Sequence, residues 1–111
     1  MNLKKIRLGR AAEESLRTAL AGGTKFTTIR FGRVEDLSAG ELVEAETASR
    51  ERFLLKVEEC RSFPIEEIPE EYAREAGFVS GFSLQFVMRN LAITEVTVTR
   101  FTVVKYIEYD F

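Results

Sequence analysis

The sequence contains no histidine and no tryptophan, and it has a single cysteine and two prolines among its 111 residues. Without histidine, Ser-His and Cys-His nucleophile pairs are excluded, so any catalysis must use Lys, Thr, Ser, Tyr, Glu or Arg. We expect neither a metal nor a cofactor, because zinc in proteins is held mainly by cysteine and histidine. The lone Cys60 cannot form an internal disulfide, which favours a reducing cytosol.

The chain also lacks a long apolar run, and the basic residues near its start are not followed by an apolar stretch. We therefore expect no membrane span, no secretory signal and a cytoplasmic location. Asparagine and glutamine are scarce, glutamate far outnumbers aspartate, and charged residues make up 31% of the chain. This bias is typical of thermophile proteins.

The net charge is only −2, but it is unevenly distributed. Residues 1–33 carry eight basic and two acidic groups, whereas residues 34–75 carry five basic and thirteen acidic groups. The basic segment favours an anionic partner on its side of the molecule. The alternative is that the two segments neutralise each other across the fold.

Hydrophobic periodicity predicts a single α+β domain over residues 1–111 with the order β-α-β-β-β-α-α-β. We expect Phe63-Pro64 to begin the second helical section, Gly22-Gly23 to end the first helix, and Ser80 to cap the last one. Predicted strands span 3–8, 26–31, 41–47, 52–60 and 94 to 106 or beyond; predicted helices span 11–21, 70–76 and 81–91, with one turn at 65–68. This order favours a small, partly open β-barrel with helices packed at one end.

The stretch from Gly22 to Arg30 combines a helix stop with a polar strand. Thr28 and Arg30 share one face of the predicted strand, because side chains alternate, and Lys25 lies on the loop before it. Such a compact cationic pocket with a hydroxyl suits an anion or a nucleobase. The alternative is an ordinary glycine-capped helix followed by a half-buried strand with solvated charges.

Four segments in this order resemble the ASCH domain family of the PUA-like superfold: Ala-Gly-Gly-Thr-Lys and Thr-Thr-Ile-Arg within 21–30, Leu-Ser-Ala-Gly-Glu-Leu-Val at 37–43, the helix end at 68–78, and the Phe-containing terminal strand at 101–104. Together they cover nearly the whole chain. The resemblance implies a single ASCH-type, PUA-like domain, a fold that often binds RNA.

On this resemblance, the expected function is the binding of RNA or of a nucleotide or nucleoside-like molecule. The basic side chains would contact phosphate and a threonine would bond a base or sugar; the candidate ligand-binding residues are Lys25, Thr27, Thr28, Arg30 and Arg33. Phe26, Phe31 and Phe78 could stack on a base or pack in the core, and core packing is favoured for Phe26 and Phe78.

The resemblance also implies an enzymatic alternative, since some small bacterial members are amidohydrolases that deacetylate N4-acetylcytidine. Thr28 would be the nucleophile and Lys25 the base. The family glutamate belongs at the position of Ala76, so the proton relay is incomplete unless Glu75, Glu71 or Glu70 substitutes for it.

A third reading is a protein-interaction domain that uses the apolar tail Tyr106–Phe111 and the acidic helical segment Glu66–Glu75. Charged helix faces are usually only solvated, so this reading is the weakest of the three. The sequence leaves the oligomeric state and the identity of the ligand open.

Overall fold

The computed structural model describes residues 3–107, which form an α+β domain in the predicted element order. The elements are β1 (Lys4–Arg7), α1 (Arg10–Gly22), β2 (Lys25–Phe31), β3 (Leu42–Glu46), β4 (Arg52–Pro64), a single 3-10 turn (Ile65–Glu67), α2 (Glu70–Glu75), α3 (Gly81–Asn90) and β5 (Glu95–Ile107). None of the helices within this range is long and apolar enough to cross a membrane.

The five strands form one mixed sheet in the order β1-β3-β4-β5-β2. β1 pairs with β3 in parallel, and all other neighbouring strands are antiparallel. Within residues 3–107, β1 and β2 do not pair with each other, so the sheet is open and the expectation of a barrel is corrected. Leu8 and Leu37, from the connecting segments, are buried in the first core and line the cavity that these two edge strands border.

Two apolar cores lie on this sheet. The first contains Leu16 of α1 and buried side chains of every strand except β1, such as Phe26, Val43, Leu55 and Phe101. The second joins the 3-10 turn, α2 and α3 to the start of β5; it consists of Ile65, Ile68, Tyr72, Ala73, Leu84, Met88, Val96 and Val98. The helices were expected to pack at one end of the domain. They do not all lie there, because α1 has its own packing site against β2.

β4 is longer than predicted. Phe63 and Pro64 still belong to the strand, where they pair with Val96 and Glu95 of β5, and the predicted helical turn begins directly after them, at Ile65. The long β5 supplies a pairing partner for these residues. Proline has no N–H to donate to the sheet, but at the last position of a strand its presence interrupts few hydrogen bonds. Upstream, the alternate residues Phe53, Leu55 and Val57 are buried.

The predicted helix boundary signals are confirmed. The Ser80 hydroxyl accepts a hydrogen bond from the Ser83 N–H at 3.1 Å, and the Ser83 hydroxyl accepts from the Ser80 N–H at 3.0 Å, which forms a capping box. At the end of α1, the Gly23 N–H donates to the Ala19 carbonyl at 2.6 Å. Ser80 and Gly23 thus fix the ends of the two longest helices.

A nearly buried carboxylate holds α1 against the β3–β4 turn. Glu13 Oε1 accepts from Ser49 Oγ at 2.7 Å and from Arg17 Nη2 at 2.8 Å. Arg17 also donates to Glu51 Oε1 at 2.7 Å, so the helix and the turn share two carboxylates and one guanidinium. These hydrogen bonds, first from Ser49 and then from Arg17, hold the pKa of Glu13 below its ordinary value.

We expect Glu13→Gln to be less stable than wild type near neutral pH, with a difference that shrinks on acidification. A carboxyl group with a lowered folded pKa stabilises above its unfolded pKa of about 4.3, and this contribution is lost as the pH falls through the folded value. Urea denaturation at about pH 7, 5 and 3 measures the effect. The control Glu14→Gln changes the neighbouring exposed carboxylate, and an equal pH-dependent effect there would contradict the role of Glu13.

Candidate functional site

The predicted site residues of β2 line several cavities. Lys25 and Thr27 line a cleft of about 460 Å³, whereas Thr28 and Arg30 line a different cavity of about 510 Å³. Thr28 and Arg30 therefore share one face of the strand, as expected. Lys25 does not join them in one compact pocket, because side chains at odd and even positions of a strand point to opposite faces.

The larger of these two, which we call the cationic cavity, lies between the two edge strands and the start of α1. It is lined by Lys5, Ile6, Arg7, Leu8, Gly9, Arg10, Ala11, Ala12, Thr28, Ile29, Arg30, Asp36, Leu37 and Phe101. Four of these side chains are basic and only Asp36 is acidic. The cavity thus collects much of the positive charge of the N-terminal third in one place.

The N-terminus of α1 adds to this positive potential. The residue before the helix is Gly9, which has no side chain, and no side chain caps the first turn. The N–H groups of the first turn therefore remain available as hydrogen-bond donors. The helix dipole places partial positive charge at the same end. Because Gly9, Arg10, Ala11 and Ala12 line the cationic cavity, these donors lie at its wall.

Arg7 and Arg10 are the most available cations of the cavity. Both are exposed, and neither has a carboxylate within salt-bridge distance among residues 3–107. Lys5 lies 3.8 Å from Glu44, a long pair in which the lysine is largely exposed and the glutamate largely buried. These side chains can therefore neutralise an anionic ligand without first breaking a strong internal ion pair.

Arg30 has a structural role at the cavity wall. Its Nη2 donates to the Val34 carbonyl at 2.9 Å and to Asp36 Oδ1 at 2.8 Å. The hydrogen bond from Arg30 also holds the pKa of Asp36 below its ordinary value. Arg30 thereby fixes the loop that follows β2, and its charge is largely neutralised.

Arg33 lies beyond the end of β2 and is not among the residues that line the cationic cavity. Its guanidinium pairs with Glu95 at 2.7 Å and with Glu35 at 3.6 Å. The structure therefore separates Arg33 from the other candidate ligand-binding residues.

The second cleft, which we call the acidic cleft, is lined by Lys25, Phe26, Thr27, Glu58, Glu59, Glu75, Arg100 and Phe101. Its three carboxylates outnumber its two cations. Thr27 Oγ1 donates to Glu75 Oε1 at 3.4 Å, a long hydrogen bond. The acidic cleft therefore brings a hydroxyl, an ammonium group and a carboxylate together, but it does not favour a phosphate.

Arg100 organises the wall of the acidic cleft. Its guanidinium bonds Glu75, lies 3.4 Å from Glu59 and 3.7 Å from Glu71, and stacks with its carbon 3.9 Å from the centre of the Tyr72 ring. Burial raises the pKa of Tyr72, and so does its hydrogen bond to Glu59. Burial opposes the charged form of Arg100, but Glu75 outweighs it and the pKa of Arg100 is raised. Glu75 is thus already engaged as a structural partner.

Ala76, where the family glutamate is expected, ends α2 and lines a groove of about 580 Å³ between α1 and α2. Lys25 and Glu75 line the same groove. None of the cavities described is lined by both Lys25 and Thr28. Of the carboxylates considered as substitutes, Glu75 is the one that reaches the acidic cleft beside Lys25.

The three candidate stacking phenylalanines have different environments. Phe26 is buried and stacks on Phe101 with ring centroids 5.2 Å apart, so it is a core residue. Phe78 is half-buried against the second core. Phe31 is 56% exposed, and it shares with Phe78 an apolar cavity of about 230 Å³ that Thr27 and Thr28 also line.

The acidic segment Glu66–Glu75 is largely paired within the chain. Glu70 accepts from the Gly81 N–H at 2.8 Å, and Glu66 lies 3.8 Å from Arg89. Of the apolar tail, Tyr106 and Ile107 belong to β5, and residues 108–111 lie outside the described part of the chain. Most of these carboxylates therefore join the helices to each other and to β5.

Within residues 3–107, no group of three or more cysteine or acidic side chains is arranged to hold a metal ion. The most prominent residues that sequence reasoning missed are Arg7 and Arg10. Their signal was the basic excess of residues 1–33, but only the fold shows that β1 and the start of α1 lie beside Thr28.

No family model matches the chain, and no curated protein matches it. Among solved structures, it is similar to the crystal structure of protein EF3133 from Enterococcus faecalis V583, described with the family model DUF984. The TM-score is 0.64 at 15% sequence identity, over 100% of this chain and 86% of the other. At this identity the likeness shows a shared fold alone.

Proposed function

We propose that this protein is an ASCH-type, PUA-like domain that binds RNA or nucleotides in its cationic cavity. The single observation that carries the proposal is the position of Arg7 and Arg10, two exposed arginines without an ion-pair partner among residues 3–107, beside the uncapped N-terminus of α1. Backbone donors, a helix dipole and arginines in one concave site are the features that bind phosphate groups.

In this proposal, a phosphate lies against the first-turn N–H groups of α1, between Arg7 and Arg10. Arginine suits this role because its planar guanidinium can donate two parallel hydrogen bonds to phosphate oxygens. Thr28 faces the same cavity and offers a hydroxyl to a sugar or a base. Arg30 holds the loop at the cavity wall and contributes mainly through position.

The apolar cavity supplies a place for a base. It shares Ala11, Ala12, Thr28 and Ile29 with the cationic cavity, so the two cavities are neighbours. The exposed ring of Phe31 lies in its lining, and base–aromatic stacking contributes about 1–3 kcal/mol per base. A nucleotide can therefore place its phosphate at α1 and its base beside Phe31.

The fold type supports the proposal in a coarser way. β1 and β2, the two edges of the open sheet, line one cavity together. We therefore propose the PUA-like type for this domain on the resemblance of its four sequence segments.

We expect Arg7→Ala/Arg10→Ala to weaken binding of a short single-stranded RNA by roughly 10- to 100-fold at low salt, since two phosphate contacts are lost. The slope of log K against log salt should fall by about 1.4, because each contact to a single strand contributes about 0.7. Fluorescence anisotropy across a salt series measures both quantities.

The matched control is Lys56→Ala/Lys105→Ala, which removes the same charge from exposed strand positions outside the cavities described. Affinity and salt slope should stay close to wild type in this variant. Equal losses in both double mutants would show that binding follows net charge and not the cavity. An absence of wild-type binding at about 50 mM salt would also contradict the proposal.

Amidohydrolase activity is a second candidate function, and the geometry of the acidic cleft favours a nucleophile other than Thr28. Lys25 and Thr28 line no common cavity among those described, whereas Lys25, Thr27 and Glu75 line one. Thr27 already donates to Glu75, so in this form of the reaction Glu75, in place of Lys25, would accept the hydroxyl proton. If the chain hydrolyses an acylated nucleoside, this geometry favours Thr27 as the nucleophile.

We expect that any hydrolysis of N4-acetylcytidine is reduced at least about 100-fold by Thr27→Val and largely retained by Thr28→Val. The two variants are matched because each removes one hydroxyl from a buried threonine of the same strand. Chromatography that follows the formation of the product over time gives the rates of hydrolysis. Loss of hydrolysis in Thr28→Val alone would contradict the assignment to Thr27.

A further inference from the structure

α3 is apolar on the side that faces the domain and also on the side that faces away from it. Its inward side chains, Leu84 and Met88, are buried in the second core. Its ten residues include one charged side chain, Arg89. A surface helix normally carries charged or polar residues on its outward face, and a helix that is apolar all round is normally buried.

The outer face of α3 consists of Val79, Phe82, Phe86, Val87 and Leu91. Val79, Phe82 and Phe86 are 86%, 76% and 61% exposed. Phe82 and Phe86 stand one helical turn apart, so their rings lie side by side on the surface. Val87 and Leu91, also one turn apart, continue the patch along one flank and are exposed as well.

This patch is about as large as the largest apolar patch that a typical monomer leaves in water. The exposed parts of its five side chains amount to an area on the order of 600 Å², the upper limit of what typical monomers expose contiguously. Two such patches in contact would bury about 1,200 Å², which reaches the lower limit of specific protein interfaces. Leu20, Leu42 and Val104 are also exposed, but each lies on a different element.

We infer that the outer face of α3 is the interface of a homodimer, in which α3 packs against α3 of a second copy around a twofold axis. A twofold interface brings the same patch of both copies together, so the patch must be compatible with itself. Arg89, the one charge on the helix, lies 3.8 Å from Glu66 of its own chain. The patch is therefore nearly neutral, and pairing it with itself brings no uncompensated like charges together.

The inferred dimer can be tested separately from the function proposed above. No residue of α3 lines the cationic cavity, and although Val87 lines the apolar cavity, Phe82 and Phe86 line neither. Failure of RNA binding and failure of dimerisation would therefore be separate results.

Sedimentation equilibrium of the whole chain tests the inference. We expect wild type to have twice the chain mass, and Phe82→Glu/Phe86→Glu to raise the dimer dissociation constant at least about tenfold, because buried aromatic side chains dominate interfaces. The control Leu20→Glu/Leu42→Glu introduces the same two charges at exposed apolar positions of α1 and β3 and should leave the dimer intact. Circular dichroism confirms that each variant is folded.

A monomeric wild type at about 100 µM, roughly a hundredfold above a micromolar dissociation constant, would overturn the inference and leave a different protein as the partner. A dimer that persists in the double glutamate variant would overturn it as well, because another surface would then hold the copies together. Cross-linking gives a second readout that does not remove the phenylalanines. Asn90→Cys at the end of α3 should cross-link through a short bismaleimide, and Leu42→Cys on β3 should not.

Discussion

The long antiparallel pairing of β4 with β5 is the constraint on which the rest of the structure depends. Each strand has thirteen residues, and the pairing contains two register shifts, at Leu54/Leu55 and at Val57/Glu59. Such irregularities bend and twist a sheet. One end of this ribbon supports α1 and the first core, and the other supports α2, α3 and the second core. Because the outer strands do not meet within the described residues, a cavity remains between their edges, and the start of α1 supplies its positive wall.

The local features of the fold could be predicted from sequence because they depend on neighbouring residues. The capping box at Ser80, the helix stop at Gly22-Gly23 and the burial of alternate residues in β4 follow from side-chain chemistry and period. The end of β4 could not be predicted in the same way. Phe63-Pro64 has the local signature of a helix start, but pairing with β5, more than thirty residues later, continues the strand.

The candidate site, too, could be predicted where it depends on neighbouring residues and not where it depends on distant ones. The shared cavity of Thr28 and Arg30 follows from strand alternation alone, and the same alternation should have separated Lys25 from Thr28. Long-range ion pairs were not predictable, and they decide which charges are available. Glu95 neutralises Arg33, and Asp36 neutralises Arg30. Arg7 and Arg10 remain without such partners among residues 3–107, so the strongest cationic positions come from a part of the chain with no motif.

The central claim is that an anionic ligand binds at the start of α1. The most direct measurement is an NMR titration of isotope-labelled protein with a nucleoside monophosphate, followed through the backbone amides. The account predicts that the largest shift changes occur at Gly9, Arg10, Ala11 and Thr28, and that they saturate together. Shift changes centred instead on Glu59, Glu75 and Arg100, with the start of α1 unaffected, would contradict it and place the ligand in the acidic cleft.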